Sequence, residues 1–427
     1  MESSLKQAIY ETVTVTKLVH GGQGLAELAD GRKVFVWNAL PGETLNARII
    51  KEKSSYAEAI AEEIIKPSAE RETPRDANYL STSPWQMMSS DAENKYKAEI
   101  VTELFAHEKV PLPVVGLVSH DNRDWNYRNK MEYSFWGDDD GLHLALHQRG
   151  THGKQIVTGS SLAMPEIDAA AGAIAAQLSE LGTRAGDLKT IIVRVSSGGQ
   201  VVAALYTKLQ KFTKLKLPTG VKGLKVYHSN PRSPASVPTE LLYELGNCLL
   251  SDELLGKVFR YNVDAFFQVN IPVFEKALTS IKGHVAAESI VDMYAGAGSI
   301  GLSVATAAVD LIELDPASVE MMSVNAEGSG LDVNIYEAPS ESALDYIVAM
   351  KPVIFDPPRA GLHKKVIERV LEVLPRQVVY LSCNPATQAR DLALLQEAYE
   401  IETFEIYNFF PKTPHIETLA ILKRNNQ

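Results

Sequence analysis

Cysteine is scarce: Cys248 and Cys383 are the two thiols in 427 residues. Two thiols build neither a disulfide framework nor a cysteine-rich metal site, which fits a reducing compartment. Long apolar runs are missing too, and none approaches the ~18 residues of a membrane span. The opening MESSLKQAIYETVTV lacks the basic-then-apolar layout of a secretory leader. Positive charge is also short. Asp and Glu number 53 against 42 Lys and Arg, a net charge of −11. No global field draws nucleic acid, and any RNA site must be a local patch. The expectation is a cytoplasmic protein with no membrane partner.

Apolar material is plentiful, at 45% of residues, enough for a sizeable core. At ~150 residues per domain the length implies two or three domains. The most informative stretch is VVYLSCNP at 378–385. A β-branched run stops at Ser382, Cys383, Asn384 and Pro385, and ATQARDLALLQEA reads as the following helix, with Pro385 at a first helical position. Cys383 thus falls where a sheet's carboxyl edge meets a helix amino end, where open α/β sheets bind ligands. The local dipole favours thiolate over thiol there. Taken alone, the residue reads equally as a buried structural cysteine; its company downstream of residue 260 favours a nucleophile.

Residues 8–66 read as five short strands, with turns at Gly21, Gly22 and Gly24, at Asp30-Gly31 and at Pro41-Gly42. ETVTVTKLV is the first of them. The pattern predicts a small OB-type β-barrel, a common nucleic-acid platform, although a β module without a ligand has the same pattern. Residues 67–90 are polar and irregular, as in a linker or long loop. AENKYKAEIVTELFAHEKV has a helical face of Tyr96, Ile100, Leu104 and Phe105.

From about 121 to 252 the pattern is α+β, and two stretches lack acids. The first holds His143, His147, Arg149, His152 and Lys154. The second holds Arg194, Lys208, Lys211, Lys214, Lys216, Lys222, Lys225 and Arg232, interleaved with Tyr206, Phe212 and Tyr227. Cations neutralise phosphates and rings stack unpaired bases, so RNA or another polyanion fits. A solvated charged face is the plainer reading of either run alone. The histidines have no metal-site spacing.

From Lys257 onward strands alternate with helices, beginning with FFQVN at 266–270 leading into a helix and ending with the strand HIETLAILKR. That is a mostly parallel doubly wound sheet. Tyr294, Gly296, Gly298 and Gly301 lie in a turn formally matching G-x-G-x-x-G, which lets backbone approach a ligand over a helix amino end. Glu313 ends the next strand, where an acid bridges ribose hydroxyls. A dinucleotide enzyme shares both features. VIFDPPR at 353–359 separates the two, because an acid followed by Pro-Pro at a strand end belongs to S-adenosylmethionine enzymes far more than to dehydrogenases.

In order along the chain, Gln268 in FFQVN, Asp292, Tyr294, Gly296 and Gly298, Glu313 in IELD, DPPRAGL, LSCNP, and His415 with Glu417 resemble the motif series of RNA uracil-5-methyltransferases. HGGQGLAEL looks like the opening of the TRAM module many of them carry. Tyr127, Arg128, Asn129 and Lys130 resemble their middle domain, so the likeness covers nearly the whole chain. The resemblance implies an α/β fold: a C-terminal Rossmann-like S-adenosylmethionine methyltransferase domain (91–120 and 256–427), an N-terminal OB-type β-barrel (TRAM, 1–70) and a central α+β RNA-binding domain (71–90 and 121–255). It assigns Gln268, Tyr294, Gly296, Gly298, Ser299, Glu313 and Asp356 to the cofactor, Ser299 standing where relatives often have Asn. Cys383 becomes the nucleophile that adds to carbon 6 of uracil, and Glu417 the base that removes the carbon 5 proton. Arg128, Lys130, Lys208, Lys211 and Lys214 fall to RNA. Arg359 falls either to an RNA phosphate or to orienting the nucleophile loop. The target base must leave its stack to be attacked.

One departure stands out. Many relatives hold an iron–sulfur cluster through four cysteines, and those positions fall here at Leu80, Ser83 and near Ser161. With Cys383 used in catalysis no ligand set remains, so the expectation is no cluster, no metal and a monomer. The leading reading is methylation of carbon 5 of a uridine in 23S ribosomal RNA. Alternatives are the same chemistry on the transfer RNA T-loop, a non-catalytic RNA-binding or folding protein, and more distantly a nicotinamide dehydrogenase.

Overall fold

The computed structural model describes residues 9–151, 153–233, 236–285 and 287–425; His152 lies outside them. The chain divides into two compact units. One comprises the described residues of Met1–Val101, His147–Gln155 and Phe410–His415; the other comprises those of Thr102–Leu146, Ile156–Phe409 and Ile416–Gln427.

In the first unit, strands β1 (Tyr10–Thr14), β2 (Lys17–Leu18), β3 (Gly24–Glu27), β4 (Lys33–Trp37), β5 (Thr44–Glu52) and β6 (Tyr56–Lys66) form one sheet, in the order β1-β5-β6-β4-β3-β2. Alternating small and β-branched residues, among them Val13, Val34, Val36, Ala47 and Ala59, fill its core. ETVTVTKLV makes two strands where one was expected. The Val15 amide donates to Glu43 O and the Thr16 amide to Leu25 O, so the chain changes partner from β5 to β3 within two residues.

Residues 67–90 are packed rather than loose. Arg71 forks onto the fully buried Glu43, at 2.5 and 2.7 Å. Beyond α1 (Tyr79–Thr82), the apolar side chains of Trp85, Met87 and Met88 are buried, and Trp85 Nε1 donates to Gly22 O at 3.0 Å. At the start of α2 (Ser90–His107), Glu93 and Lys97 form a fully buried ion pair at 2.8 Å. Glu93 also accepts the Lys412 amide at 2.8 Å, and Lys97 Nζ donates to Phe410 O at 3.3 Å.

The second sheet comprises β7 (Lys130–Asp138), β8 (Gly141–His147), β9 (Lys154–Ile156), β10 (Leu188–Val195), β11 (Val201–Thr207), β12 (Val221–His228) and β13 (Glu240–Gly246). Its order is β13-β12-β11-β10-β7-β8-β9. Helix α3 (Pro165–Glu180) packs Ile167, Ala171, Ile174 and Leu178 against one face. The period of two sends Arg194, Tyr206, Lys225 and Tyr227 to the other face, where the structure corrects the sequence reading. Arg194, Tyr206 and Tyr227 are buried, and the two tyrosine rings stack on each other at 5.5 Å. Lys225 and Tyr227 both bond Asp264, at 2.8 and 2.7 Å. These groups do not face RNA because residues 262–267 lie over them.

A hairpin of β14 (Leu250–Leu254) and β15 (Lys257–Tyr261) leads to the third sheet. Its strands are β16 (Ser289–Met293), β17 (Ala308–Glu313), β18 (Asp332–Glu337), β19 (Val353–Phe355), β20 (Gln377–Ser382), β21 (Tyr399–Tyr407) and β22 (Glu417–Arg424). The order is β18-β17-β16-β19-β20-β22-β21, parallel except for β22, which runs against both neighbours. Helices α4 (Ile271–His284), α5 (Ser299–Val304), α6 (Pro316–Glu327), α7 (Lys364–Val373) and α8 (Pro385–Leu395) connect the strands. FFQVN is irregular backbone ahead of α4. Among the described residues no helix is long and apolar enough to cross a membrane.

Truncating one partner of a buried pair leaves the other charge uncompensated. Glu93→Ala should therefore cost about 3–5 kcal/mol. Glu27→Ala, which removes the exposed 2.5 Å pair with Lys33, should cost about 1 kcal/mol or less. Urea unfolding of the two variants checks the contrast, and equal midpoints would refute it.

Candidate active site at the carboxyl edge of the third sheet

After β16 the backbone turns through Tyr294 (φ 66°), Gly296 (φ 56°) and Gly298 (φ 79°) into α5, with Ser299 as its first residue. Gly301 has a packing reason. A Cβ there would meet Leu311 Cδ2 at 2.6 Å and Asp292 Oδ2 at 2.8 Å, so only glycine lets α5 lie this close to the sheet. Its amide instead donates to Asp292 Oδ2 at 2.7 Å. Glu313, closing β17, gathers three backbone amides: Gly296 at 2.8 Å on one oxygen, and Leu314 and Asp315 at 2.7 and 2.8 Å on the other. Gln268 is buried, and its carbonyl accepts Asn129 Nδ2 at 3.0 Å.

Cys383 follows β20 directly and is partly exposed. Pro385 is the first residue of α8, as its position in the sequence implies, and the Asn384 side chain caps that helix by accepting the Ala386 amide at 3.2 Å. Asn384 Nδ2 donates to Arg359 O at 2.9 Å and Thr387 Oγ1 to the same carbonyl at 3.2 Å. The DPPR loop and the turn carrying Cys383 are thereby tied through the Arg359 carbonyl. Across the sheet, β22 pairs Thr418 with Ser382, which sets Glu417 beside Cys383 where the two strands end. Gln388, fully buried on α8, pins both strands. Its amide nitrogen donates to Tyr380 O and Thr418 O at 2.8 and 3.3 Å, and its oxygen accepts Thr418 Oγ1 at 2.8 Å. Nothing in the sequence singled out Gln388 or Asp292's amide contact, since each depends on a tertiary neighbour.

The electrostatics overturn one expectation. Burial first, then the charges of Glu417 and Asp356, push the Cys383 thiol up to about 12, with Arg359 opposing. Desolvation and like charge outweigh the helix dipole, so the thiol holds its proton. Burial and the charge of Glu313 raise Asp356 to about 7. Burial, with Asp356 and Glu313 adding, raises Asp292 to about 8 against the pull of the Gly301 amide. Asp292 Oδ1 has no hydrogen-bond partner among the described residues. Cys248 is buried, its thiol also raised to about 12.

The structure gathers Gln268, the glycine turn, Glu313, Asp356, Arg359, Cys383 and Glu417 within this unit. The RNA candidates lie elsewhere in it. Arg128 and half-buried Lys130 stand at the start of β7, on the second sheet. Lys208, bonded to Gly186 O at 2.8 Å, and exposed Lys211 and Lys214 lie on the segment after β11. The positions where relatives hold an iron–sulfur cluster offer no thiolate. The Leu80 carbonyl accepts Arg149, and Ser83 Oγ accepts Gln86 Nε2 at 2.7 Å. Among the described residues no group of three His, Cys, Asp or Glu side chains is arranged to hold a metal ion.

Residues 341–425 match the model of the tRNA (Uracil-5-)-methyltransferase family, and residues 10–61 match the TRAM domain. An "Uncharacterized RNA methyltransferase" of Enterococcus faecalis is 29% identical over 96% of this chain and 96% of its own. "Uncharacterized RNA methyltransferase YljE" of Lactococcus lactis is 29% identical over 98% of each. The crystal structure of Pyrococcus abyssi tRNA (uracil-54, C5)-methyltransferase, in complex with S-adenosyl-L-homocysteine, superposes with a TM-score of 0.76. It is 21% identical, over 96% of this chain and all of that one, and shares the fold. The chain is thus similar along nearly its whole length to proteins named RNA methyltransferases, and it matches the uracil-5-methyltransferase model towards its C-terminal end and the TRAM domain towards its N-terminal end.

Proposed function

We propose that the protein transfers a methyl group from S-adenosylmethionine to carbon 5 of a uridine in RNA, through a covalent adduct between Cys383 and carbon 6 of the uracil. The observation that carries this is the strand register that sets Glu417 beside Cys383, with Asp356 and Arg359 close enough to shift the thiol. The donor set suits a cationic cosubstrate. The carboxyls of Asp292 and Asp356, held out of water, and an unpartnered buried Oδ1 on Asp292 favour a positive charge nearby. Gln268, Tyr294, Gly296, Gly298, Ser299, Glu313 and Asp356 are the residues that would hold it. When bound, S-adenosylmethionine supplies an electrophilic methyl on a positively charged sulfur.

The chain's own residues do the rest. Carbon 5 of uracil is too weak a nucleophile unaided. Cys383, partly exposed, passes its thiol proton to solvent as it reacts; addition of the resulting thiolate to carbon 6 places an enolate on the ring, and the carbon 5 electron pair takes the methyl. Glu417 then removes the carbon 5 proton; the freed pair re-forms the 5,6 double bond and expels the thiolate. Arg359, Arg128, Lys130, Lys208, Lys211 and Lys214 supply positive charge to the RNA backbone. We take the target to be a uridine of 23S ribosomal RNA, on the family architecture with its TRAM module. Transfer RNA is the second reading, favoured by the substrate in the Pyrococcus abyssi enzyme's name. No iron–sulfur cluster, membrane or partner subunit enters the proposal, and a cytoplasmic monomer suffices.

Methyl-labelled S-adenosylmethionine with separate 23S and transfer RNA transcripts tests it. Wild type should place label in one RNA as 5-methyluridine, and Cys383→Ala should place none. Glu417→Gln should methylate but fail to release, leaving a protein–RNA adduct that survives denaturing gels. Label from the Cys383 variant would refute the nucleophile.

The raised carboxylates predict a pH dependence. Asp292 and Asp356 keep protons in the folded chain up to about pH 8 and 7, whereas unfolded Asp releases them near about 3.9. The folded state binds more protons in that window, so this stability is complete below about pH 4 and lost as pH rises to 7–8. The melting temperature without cosubstrate should fall between about pH 6 and 8, and Asp292→Asn should flatten the fall. A slope unchanged by Asp292→Asn would mean that Asp292 is not the titrating group.

A further inference from the structure

The backbone of residues 262–269 forms neither helix nor strand, so its carbonyls need partners from elsewhere. The second sheet provides them. Arg194, on β10 and 1% exposed, donates Nη1 to Asn262 O and Ala265 O at 3.1 and 2.7 Å and Nη2 to Phe267 O at 2.7 Å. Asn129 continues the series, with Nδ2 on Gln268 O at 3.0 Å and its amide on Val269 O at 3.3 Å. The Tyr261 ring lies 5.0 Å from the guanidinium and stacks on Phe267 at 4.1 Å. At its outer end the stretch reaches the glycine turn: the Phe266 amide donates to Ser318 Oγ at 3.3 Å, and the Phe266 ring lies 3.8 Å from where a Cβ on Gly296 would stand.

We propose that Arg194 is a positioning residue for the cosubstrate site, holding Phe266, Phe267 and Gln268 against the glycine turn from a sheet that carries no catalytic group. This rests on the assignment of Gln268 and Gly296 to S-adenosylmethionine. A guanidinium suits the task because its planar fork reaches three carbonyls at once, which a lysine ammonium on a thinner stem cannot do in one geometry. A fully buried cation bonded to main-chain oxygens alone is also an expensive way to stabilise a sheet. That cost makes sense where the exact placement of a loop matters. Burial draws the guanidinium down to about 10, so it stays charged throughout the working range.

The test uses full-length wild type, Arg194→Lys and Arg194→Met. Tyr133→Phe is the control: it removes a buried hydroxyl bonded to Asp168 at 2.5 Å on the opposite face of the same sheet. Calorimetric titration with S-adenosylhomocysteine should weaken about 10- to 100-fold for Arg194→Met and less for Arg194→Lys, given the strength of charge-assisted bonds. KM for S-adenosylmethionine should rise in parallel while kcat stays within about threefold, as for lost ground-state binding. Tyr133→Phe should lower the melting temperature without moving either constant. If Arg194→Met lowers the melting temperature but binds S-adenosylhomocysteine like wild type, Arg194 is structural and the inference falls. If wild type itself does not bind S-adenosylhomocysteine, the cosubstrate assignment falls first and this inference with it.

Discussion

The site depends on one antiparallel pairing. Four strands of the third sheet run parallel to β20 or through its parallel neighbours, and their carboxyl ends bring the glycine turn, Glu313 and Asp356 to the edge that carries Cys383. That edge would hold Cys383 without Glu417 beside it if the last strand were also parallel. Because β22 enters in the opposite sense, its first residue rather than its last arrives there, and Thr418 opposite Ser382 fixes which residue that is. Side chains alternate along a strand, so a slip of one residue would turn Glu417 to the opposite face. Gln388 is the guard against that slip, bonding one strand's carbonyl and the other's carbonyl and hydroxyl from a helix beneath.

A second constraint works against stability. Asp292, Glu313, Asp356 and Glu417 lie along one sheet edge with the Cys383 thiol. Burial first, and then the neighbouring negative charge, shifts the cysteine and two of the acids upward. The fold tolerates this because backbone amides at Gly296, Gly301, Leu314 and Asp315 answer part of the charge. The remainder is a local electrostatic deficit of the kind active sites carry at the expense of the rest of the molecule.

Much of this was legible in the sequence, for a physical reason. The third sheet consists of local units of strand, turn and helix, and each announces itself within about a dozen residues. VVYLSCNP gave its strand, its turn and its proline; DPPR and the glycine turn lay where expected. Where a partner lies far along the chain, legibility ends. The break at Val15 depends on Glu43 and Leu25. The packing of residues 67–90 depends on Glu43 and Gly22. Arg194, Tyr206 and Tyr227 read as an RNA face because their spacing fits one, yet which side of a sheet faces water is decided by the segment laid over it. The thiol was read from the dipole of its own helix, whereas its burial, and after that the carboxylates of Glu417 and Asp356, raises it.

The composition of the first unit has a consequence for how the protein is made. That unit joins residues near the start of the chain to Phe410–His415, and two of its buried cations depend on them: Lys97 reaches Phe410 O, while Lys412 reaches Met88 O at 2.9 Å. A ribosome releases residue 97 long before residue 410, so the nascent unit waits with Glu93 and Lys97 incompletely satisfied while some three hundred further residues are translated, at ~5–20 per second. Completion of the earliest-made part is thus a late event.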